Sequence, residues 1–258
     1  MIVAGCDVGT LTTKAVILND GSVASYDIIP TDAKPEEAAK VVMENTLSKA
    51  GLSFKDLDFC VATGWGRKKV GFAGKDIGEI PCIGKGAYKL NPSLCTVINI
   101  GAQASSVIRI GKNGNVLDYG TNDKCASGTG KFLGVISEAL ELNVSEMGEL
   151  SLQSKNPVNI SNQCAVFAES EVISYVNEGM ELADIACGIN NSIARRLVTL
   201  AKRVGVKEDV CIVGGVAKNI GVVKDLERML EVEMKKLPVD PQIIGALGAA
   251  VIAEQKAK

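Results

Sequence analysis

Three glycine turns and two cysteine segments hold the residues of this 258-residue chain whose types and spacing suit chemistry. The first turn lies in GCDVGTLTTK, Gly5 to Lys14, and the second in INIGAQASS, Ile98 to Ser106. Glycines such as Gly9 and Gly101 let backbone N–H groups approach phosphate oxygens without a Cβ clash. Thr10, Thr12, Thr13 and Lys14 add hydroxyl and charge-assisted donors, and Ala102 and Gln103 continue the second turn. Asp7 suits Mg2+ held through water, because that ion keeps much of its hydration shell. The third turn, GGVAKN, contributes Gly214, Gly215, Val216, Ala217 and Asn219 ahead of a helical pattern, and with Gln242 it is expected near the nucleoside. Any one of these turns alone reads as an ordinary connection between strands. Their order, and a duplication described below, favour nucleotide phosphates. A P-loop is excluded at Gly130-Lys131, since Phe132 follows and Cys125 stands where the first glycine belongs.

The chain has eight cysteines and no histidine. That absence removes Ser-His-Asp and Cys-His catalysis and any imidazole metal site. NDKCASGTGKFL places Cys125, and SNQCAVFAESEVIS places Cys164, just ahead of helical patterns. A helix N-terminus favours a thiolate or an anionic iron–sulfur cluster. Cys6, Cys60, Cys95 and Cys211 sit in or beside apolar strands and read as small buried hydrophobes, Cys187 lies within a helical pattern, and Cys82 follows Pro81 in an expected loop. A [4Fe–4S] cluster needs four thiolates, and only two share the helix-capping context. Two readings stand at this point: a homodimer with one cluster on its two-fold axis, or two unrelated capping cysteines.

These residues need a scaffold, and the chain repeats one. Residues 3–26 (VAGCDVGTLTTKAVILNDGSVASY) and 95–119 (CTVINIGAQASSVIRIGKNGNVLDY) share a pattern of strand, turn, strand, hairpin turn and strand. Asp7 aligns with Asn99 and Gly9 with Gly101, while Asp20-Gly21 and Asn113-Gly114 predict type I′ hairpins. Helical spacing covers 35–50 through Ala38, Val41, Val42 and Leu47, and 130–142 through Phe132, Leu133, Ile136 and Leu140. It recurs over 165–178, 182–204, 219–231 and 243–256, with a strand at 58–63 and a buried strand at 210–215 running into a glycine turn. The expected architecture is α/β, two duplicated domains around a nucleotide cleft: residues 1–92 with 243–258, and 93–242.

Composition narrows the function. The 28 basic and 30 acidic residues leave a net charge of −2, which argues against a nucleic-acid surface, and 4% aromatic residues leave no base-stacking platform. No stretch reaches the roughly 20 apolar residues of a membrane span, and the first residues lack a charged signal-peptide start. A cytoplasmic protein is expected, with free or metal-bound rather than disulfide-linked cysteines.

The paired hairpins and the later Gly-Gly turn resemble the actin, hexokinase and heat-shock-70 ATPase superfamily, which pinches phosphates between two hairpins. NDKCASGTGKFL and NQCAVFAESEVIS, with GCDVGT, ATGWGR, GGVAKN and IGALGAA, resemble the activators (component A) of 2-hydroxyacyl-CoA dehydratases. These belong to the BadF/BadG/BcrA/BcrD-type ATPases, which include subunits of benzoyl-CoA reductase. The resemblance spans essentially the whole chain. It implies an actin-like fold and a homodimer with one bridging [4Fe–4S] cluster, for which Cys125 and Cys164 stand at the ligand positions. It also implies one Mg-ATP site per subunit, reduction by ferredoxin or flavodoxin, an anaerobic cell, and delivery of one low-potential electron to a partner iron–sulfur dehydratase or reductase. A benzoyl-CoA-reductase-like or double-cubane partner is an alternative. The second turn departs from the family pattern Asp-Ile-Gly-Gly-Gln-Asp, reading Asn99-Ile100-Gly101-Ala102-Gln103-Ala104. Two carboxylates are missing, while Gln103 remains to orient the attacking water. A small-molecule kinase or a non-hydrolysing nucleotide scaffold of the same superfamily are the competing readings. The kinase lacks a second aspartate base motif and leaves Cys125 and Cys164 without a role.

Overall fold

Strict alternation builds the first sheet. Strand β1 (Ile2–Val8) pairs antiparallel with β2 (Thr12–Asn19), which pairs antiparallel with β3 (Ser22–Pro30). On the other side β1 runs parallel to β4 (Phe59–Thr63), and β4 to the short β5 (Lys75–Asp76). The order is β3-β2-β1-β4-β5. Successive side chains point to opposite faces. Ala4, Cys6 and Val8 pack on helix α1 (Pro35–Lys49) with Ala15, Ile17, Cys60 and Ala62. Val3, Val16, Leu18 and Val61 pack on the other face against helix α8 (Ile244–Ala257). The turn between β2 and β3 has positive φ at both Asp20 and Gly21, as a type I′ hairpin requires. In α1, Ala38, Val42 and Leu47 are buried, but Val41, one residue step around the helix from Val42, is 45% exposed.

This structure is a computed structural model describing residues 1–122, 129–160 and 165–257. The second sheet has the order β8-β7-β6-β9, from β6 (Thr96–Ile100), β7 (Ser105–Ile110), β8 (Val116–Asn122) and β9 (Val210–Val213). Asn113 and Gly114, between β7 and β8, repeat the two left-handed residues of the first hairpin. Helices α3 (Gly130–Ala139), α4 (Val144–Ser151), α5 (Ala165–Asn177), α6 (Leu182–Val204) and α7 (Ile220–Leu230) complete this half. Phe132, Leu133, Ile136 and Leu140 of the α3 segment meet Ile185, Ile189, Ile193 and Leu197 of α6 in one core with Ile98, Ile100 and Val107. The chain divides into two compact units, Met1–Val97 with Arg109–Leu117 and Leu237–Lys258, and Ile98–Ile108 with Asp118–Lys236.

Two helices lie where the sequence patterns show none. Helix α2 (Glu79–Leu90) includes Cys82, which is therefore not in a loop but fully buried in a helix. Pro81, Gly84 and Gly86 mask the helical signal, yet Pro81 sits in the first turn, where no intrahelical N–H bond is lost. Helix α4 is short, but its start carries a legible signal. Asn143 accepts from the Ser145 and Glu146 N–H groups, and Glu146 accepts from the Asn143 N–H in a capping box.

Gly86 of α2 faces α8, while Gly84 faces the Gly114 carbonyl. A Cβ on Gly248 would fall on the Cys82 carbonyl, one on Gly86 on the Ile244 carbonyl, and one on Gly5 of β1 on the Ala246 carbonyl. Backbone thus lies directly on backbone, and α8 is buried on nearly all sides from Ile244 to Ala253. A Gly248→Ala variant is expected to lose about 3 kcal/mol or more by overpacking, because the clash is with main chain that cannot rotate away. Gly71→Ala, whose added methyl meets nothing within 4 Å, is expected to stay within about 0.5 kcal/mol. Urea unfolding of the two variants checks this.

Candidate functional site

The site residues of the first unit gather at the β1–β2 turn. Gly9 N–H donates to the Thr12 carbonyl at 3.1 Å and closes the turn. Asp7 and Lys14 are direct cross-strand partners, and Lys14 Nζ donates to Asp7 Oδ2 at 3.3 Å, both side chains being largely buried. Two glycines wall the Asp7 carboxylate. A Cβ on Gly64, which has φ +83°, would strike Asp7 Oδ1, and one on Gly245, at the start of α8, would lie 3.1 Å from Oδ2. Sequence reasoning gave neither glycine a role. The available signal was a glycine directly after a strand and another opening the Ala-rich last helix.

Thr10 and Thr12 are half-buried at the turn. Thr13 differs, because alternation turns it to the opposite face. It is fully buried, and its hydroxyl bonds to Thr31 Oγ1 at 2.9 Å, which in turn donates to the Gly9 carbonyl at 2.9 Å. Its side chain therefore braces the turn from behind rather than facing a phosphate.

The second unit repeats this geometry. Gly101 N–H donates to the Ala104 carbonyl at 2.9 Å, matching Gly9 to Thr12. Asn99 and Ser106 replace Asp7 and Lys14, with Asn99 Nδ2 3.5 Å from Ser106 Oγ. The pair keeps its seven-residue separation and loses its charge. Gln103 is exposed at the turn tip, and Ala102 is half-buried. The first N–H groups of α3 hold this turn: Gly130 donates to the Gly101 carbonyl and Lys131 to the Ala102 carbonyl, both at 2.9 Å.

Gly214 of the third turn has φ +88°, and a Cβ there would fall on the Ile100 carbonyl and 2.9 Å from Asn99 Oδ1. This close approach brings the Gly214-Gly215 turn beside the end of β6 and Asn99. Gly215 is exposed, Ala217 half-buried, and Val216 points into the core. Asn219 is fully buried and engaged within the unit. Its Oδ1 caps α7 by accepting from Val222 N–H at 3.0 Å, and its Nδ2 donates to the Val144 carbonyl and to Asn190 Oδ1, both at 3.2 Å. Its side chain thus positions the turn instead of reaching a ligand. Gln242 belongs to the first unit, in a 3-10 turn capped by Asp240.

Cys125 and Cys164 lie outside the described residues. Cys164 directly precedes α5, and Cys125 stands five positions before α3. Burial pushes the thiols of Cys60, Cys82 and Cys211 up to about 12, and that of Cys6 well above its ordinary value. Such protonated thiols are poor metal ligands. Cys187 is half-buried and accepts from Asn191 Nδ2 at 3.3 Å, its thiol also raised by burial. Among the described residues, no three Cys, Asp or Glu side chains group as a metal site.

Comparison with known proteins fits this geometry. Residues 4–253 match the BadF/BadG/BcrA/BcrD ATPase family. The 2-hydroxyisocaproyl-CoA dehydratase activator of Clostridioides difficile is 42% identical over 260 residues, covering 100% of this chain and 97% of the relative. The crystal structure of (R)-2-hydroxyglutaryl-CoA dehydratase component A from Acidaminococcus fermentans matches with a TM-score of 0.95 at 41% identity, covering 100% of this chain and 99% of the other. The activator of the 2-hydroxyisocaproyl-CoA dehydratase from Clostridium difficile, solved with bound ADPNP, matches at 0.94 and 40% identity over 100% and 96% of the two chains. A ROK family glucokinase from Streptomyces griseus, 13% identical with a TM-score of 0.56 over 99% and 100% of the two chains, shares the fold alone. The chain belongs to the BadF/BadG/BcrA/BcrD ATPase family and carries the actin-like α/β fold.

Proposed function

We propose that this chain is the ATP-driven one-electron donor that activates a 2-hydroxyacyl-CoA dehydratase. The observation that carries the reading is the direct hydrogen bonding of the second phosphate turn to α3, from Gly130 to Gly101 and from Lys131 to Ala102. A turn that moves with the state of the nucleotide moves the helix whose leading segment holds Cys125. ATP drives such a change only if its bound states favour different conformations.

In this reading backbone N–H groups of the Gly9 and Gly101 turns, with Thr10, Thr12 and Lys14, take the phosphates. Asp7 holds Mg2+ through water and is kept in place by Lys14, Gly64 and Gly245. Gln103 orients the attacking water. Gly214, Gly215, Ala217 and Gln242 serve the nucleoside, while Thr13, Val216 and Asn219 shape the turns that do so. Cys125 and Cys164 of two identical chains supply the four thiolates of one [4Fe–4S] cluster. That cluster supplies low-potential one-electron transfer when bound. Helix α5, which begins directly after Cys164, brings a positive dipole end to the negative charge. Ferredoxin or flavodoxin is the electron source, and the work is done in the cytoplasm of an anaerobe. Among the described residues no helix is long and apolar enough to cross a membrane.

Iron content and the visible spectrum of anaerobically purified protein test this reading. Wild type and Cys82→Ser are expected to hold about four irons per dimer, and Cys125→Ser and Cys164→Ser to lose them. Full iron in either of the latter two overturns the ligand assignment. ADP calorimetry on the same samples tests nucleotide binding separately.

Hydrolysis is expected to be slow, because Asn99 and Ala104 replace two carboxylates beside the attacking water. An Asn99→Asp, Ala104→Asp double variant is expected to raise phosphate release on the order of tenfold, since groups that position water contribute at least that much. Unchanged turnover would show that the missing carboxylates do not limit the reaction.

A further inference from the structure

Asp7 stands in the middle of a row of three polar side chains laid across adjacent strands. Lys14 of β2 is its cross-strand partner on one side, and Thr63 of β4 on the other. Residues paired across neighbouring strands point to the same face. Here it is the face that α8 covers, where Val3, Val16 and Val61 continue the three strands. Thr63 is fully buried, and its hydroxyl has no hydrogen-bond partner among the described residues. Its sulfur neighbour, the Cys82 thiol of α2, is pushed up to about 12 by burial, and a protonated thiol is only a weak hydrogen-bonding group. Lys14 takes Oδ2 of Asp7, whereas Oδ1 lies on the β4 side, against the main chain of Gly64 that directly follows Thr63. The end of β4 is pinned on several sides. Gly66 N–H donates to the Val8 carbonyl and Ile77 N–H to the Ala62 carbonyl, both at 2.9 Å, and Arg67 Nη1 donates to the Gly64 carbonyl at 3.1 Å. A β-branched side chain is also stiff at χ1, so the hydroxyl is fixed in place.

We propose that Thr63 is a second holding residue of the Asp7 site, its hydroxyl and the Asp7 carboxylate sharing one water of a hydrated Mg2+. The inference rests on the reading of Asp7 given above. A buried hydroxyl without a partner is costly unless a ligand or water completes it. The carboxylate beside it limits what that can be. An ionised carboxylate only accepts hydrogen bonds, so a group seated against it must donate. Phosphate oxygens are negatively charged acceptors and fail this condition. An ammonium meets it, and Lys14 already supplies one at Oδ2. Water on a cation meets it too. Its lone pair is spent on the metal, which leaves two hydrogens to give, one to Asp7 and one to Thr63 Oγ1. Mg2+ suits such an arrangement because it keeps several of its waters. Thr63 thus differs from an ordinary core threonine in a way that can be measured. Its hydroxyl lowers the stability of the ligand-free chain and strengthens binding of the cation.

The test is ADP calorimetry on the full chain, in Mg2+ and in EDTA, for wild type, Thr63→Val and Thr63→Ser, together with urea unfolding of each without ligand. Valine replaces the hydroxyl with a methyl of similar size. Thr63→Val is expected to bind ADP about fivefold more weakly than wild type in Mg2+ and equally well in EDTA, the effect of one lost hydrogen bond. Its urea midpoint is expected to equal or exceed that of wild type. Thr63→Ser keeps the hydroxyl and is expected to keep the Mg2+ effect. A loss of affinity that is the same in Mg2+ and in EDTA, or no loss in either, overturns the proposal. So does a lower urea midpoint for Thr63→Val, which would show a structural partner. Wild-type ADP binding that ignores Mg2+ overturns the cation assignment and leaves nucleotide binding standing. Failure of wild type to bind ADP at all counts against the nucleotide reading, and Mn2+ binding followed by electron paramagnetic resonance then decides on Thr63. Mn2+ held by wild type and released in Thr63→Val upholds its role, and no difference between the two overturns it.

Discussion

Main chain pressed against main chain, with no side chains between, is the contact on which the first unit rests. Gly5, Gly86 and Gly248 allow α8 to lie on β1 and α2 closer than any residue with a Cβ permits. Close packing of this kind gains dispersion contacts along the whole helix. It also fixes position: Gly245, at the start of α8, ends up beside the carboxylate of Asp7. Cys82 is buried by the same contact, and its thiol is pushed up to about 12 by the loss of water. The Asp7 carboxylate is thus held from three directions, by the last helix, by the Gly64 turn, and by Lys14 across the strand pair.

Duplication explains the shape of the two turns, and divergence explains their chemistry. Gly9 to Thr12 and Gly101 to Ala104 are the same hydrogen bond made twice. The residue pairs behind them are equivalent too, yet Asp7–Lys14 is ionic and Asn99–Ser106 neutral. The difference has energetic weight. Removing one partner of a buried ion pair strands a charge at a cost of about 3–5 kcal/mol, whereas a neutral pair loses only about 1 kcal/mol. Loss of a partner is therefore costlier at the first turn than at the second.

Most of the fold was legible because its signals are local. Alternating apolar strands, the Asp20-Gly21 and Asn113-Gly114 turns, and the apolar stripe of α6 each point to one backbone conformation. Helix α2 was illegible because Pro81 reads as a helix breaker although it sits in the first turn, and because Gly84 and Gly86 suit a helix where another backbone lies against them, a condition no local pattern carries. At the site, residue types announced the turns but not which side chains face outward. Thr13 and Asn219 look like ligands in a string of polar residues, and only the structure shows that their hydroxyl and amide groups are taken up inside.

The seating of α8 on β1 also sets an order of events during synthesis. These two elements are separated by about 240 residues, so the ribosome finishes the first strand long before its covering helix exists. The intervening segment that forms the second unit carries its own core and has all of its residues available earlier. The nascent chain can therefore complete the inner unit first, while the β1–β2–β3 hairpins wait with one apolar face uncovered. A chain released before Ile244 would leave that face bare, and a truncated product is marked for chaperones or proteases by the surface it still shows.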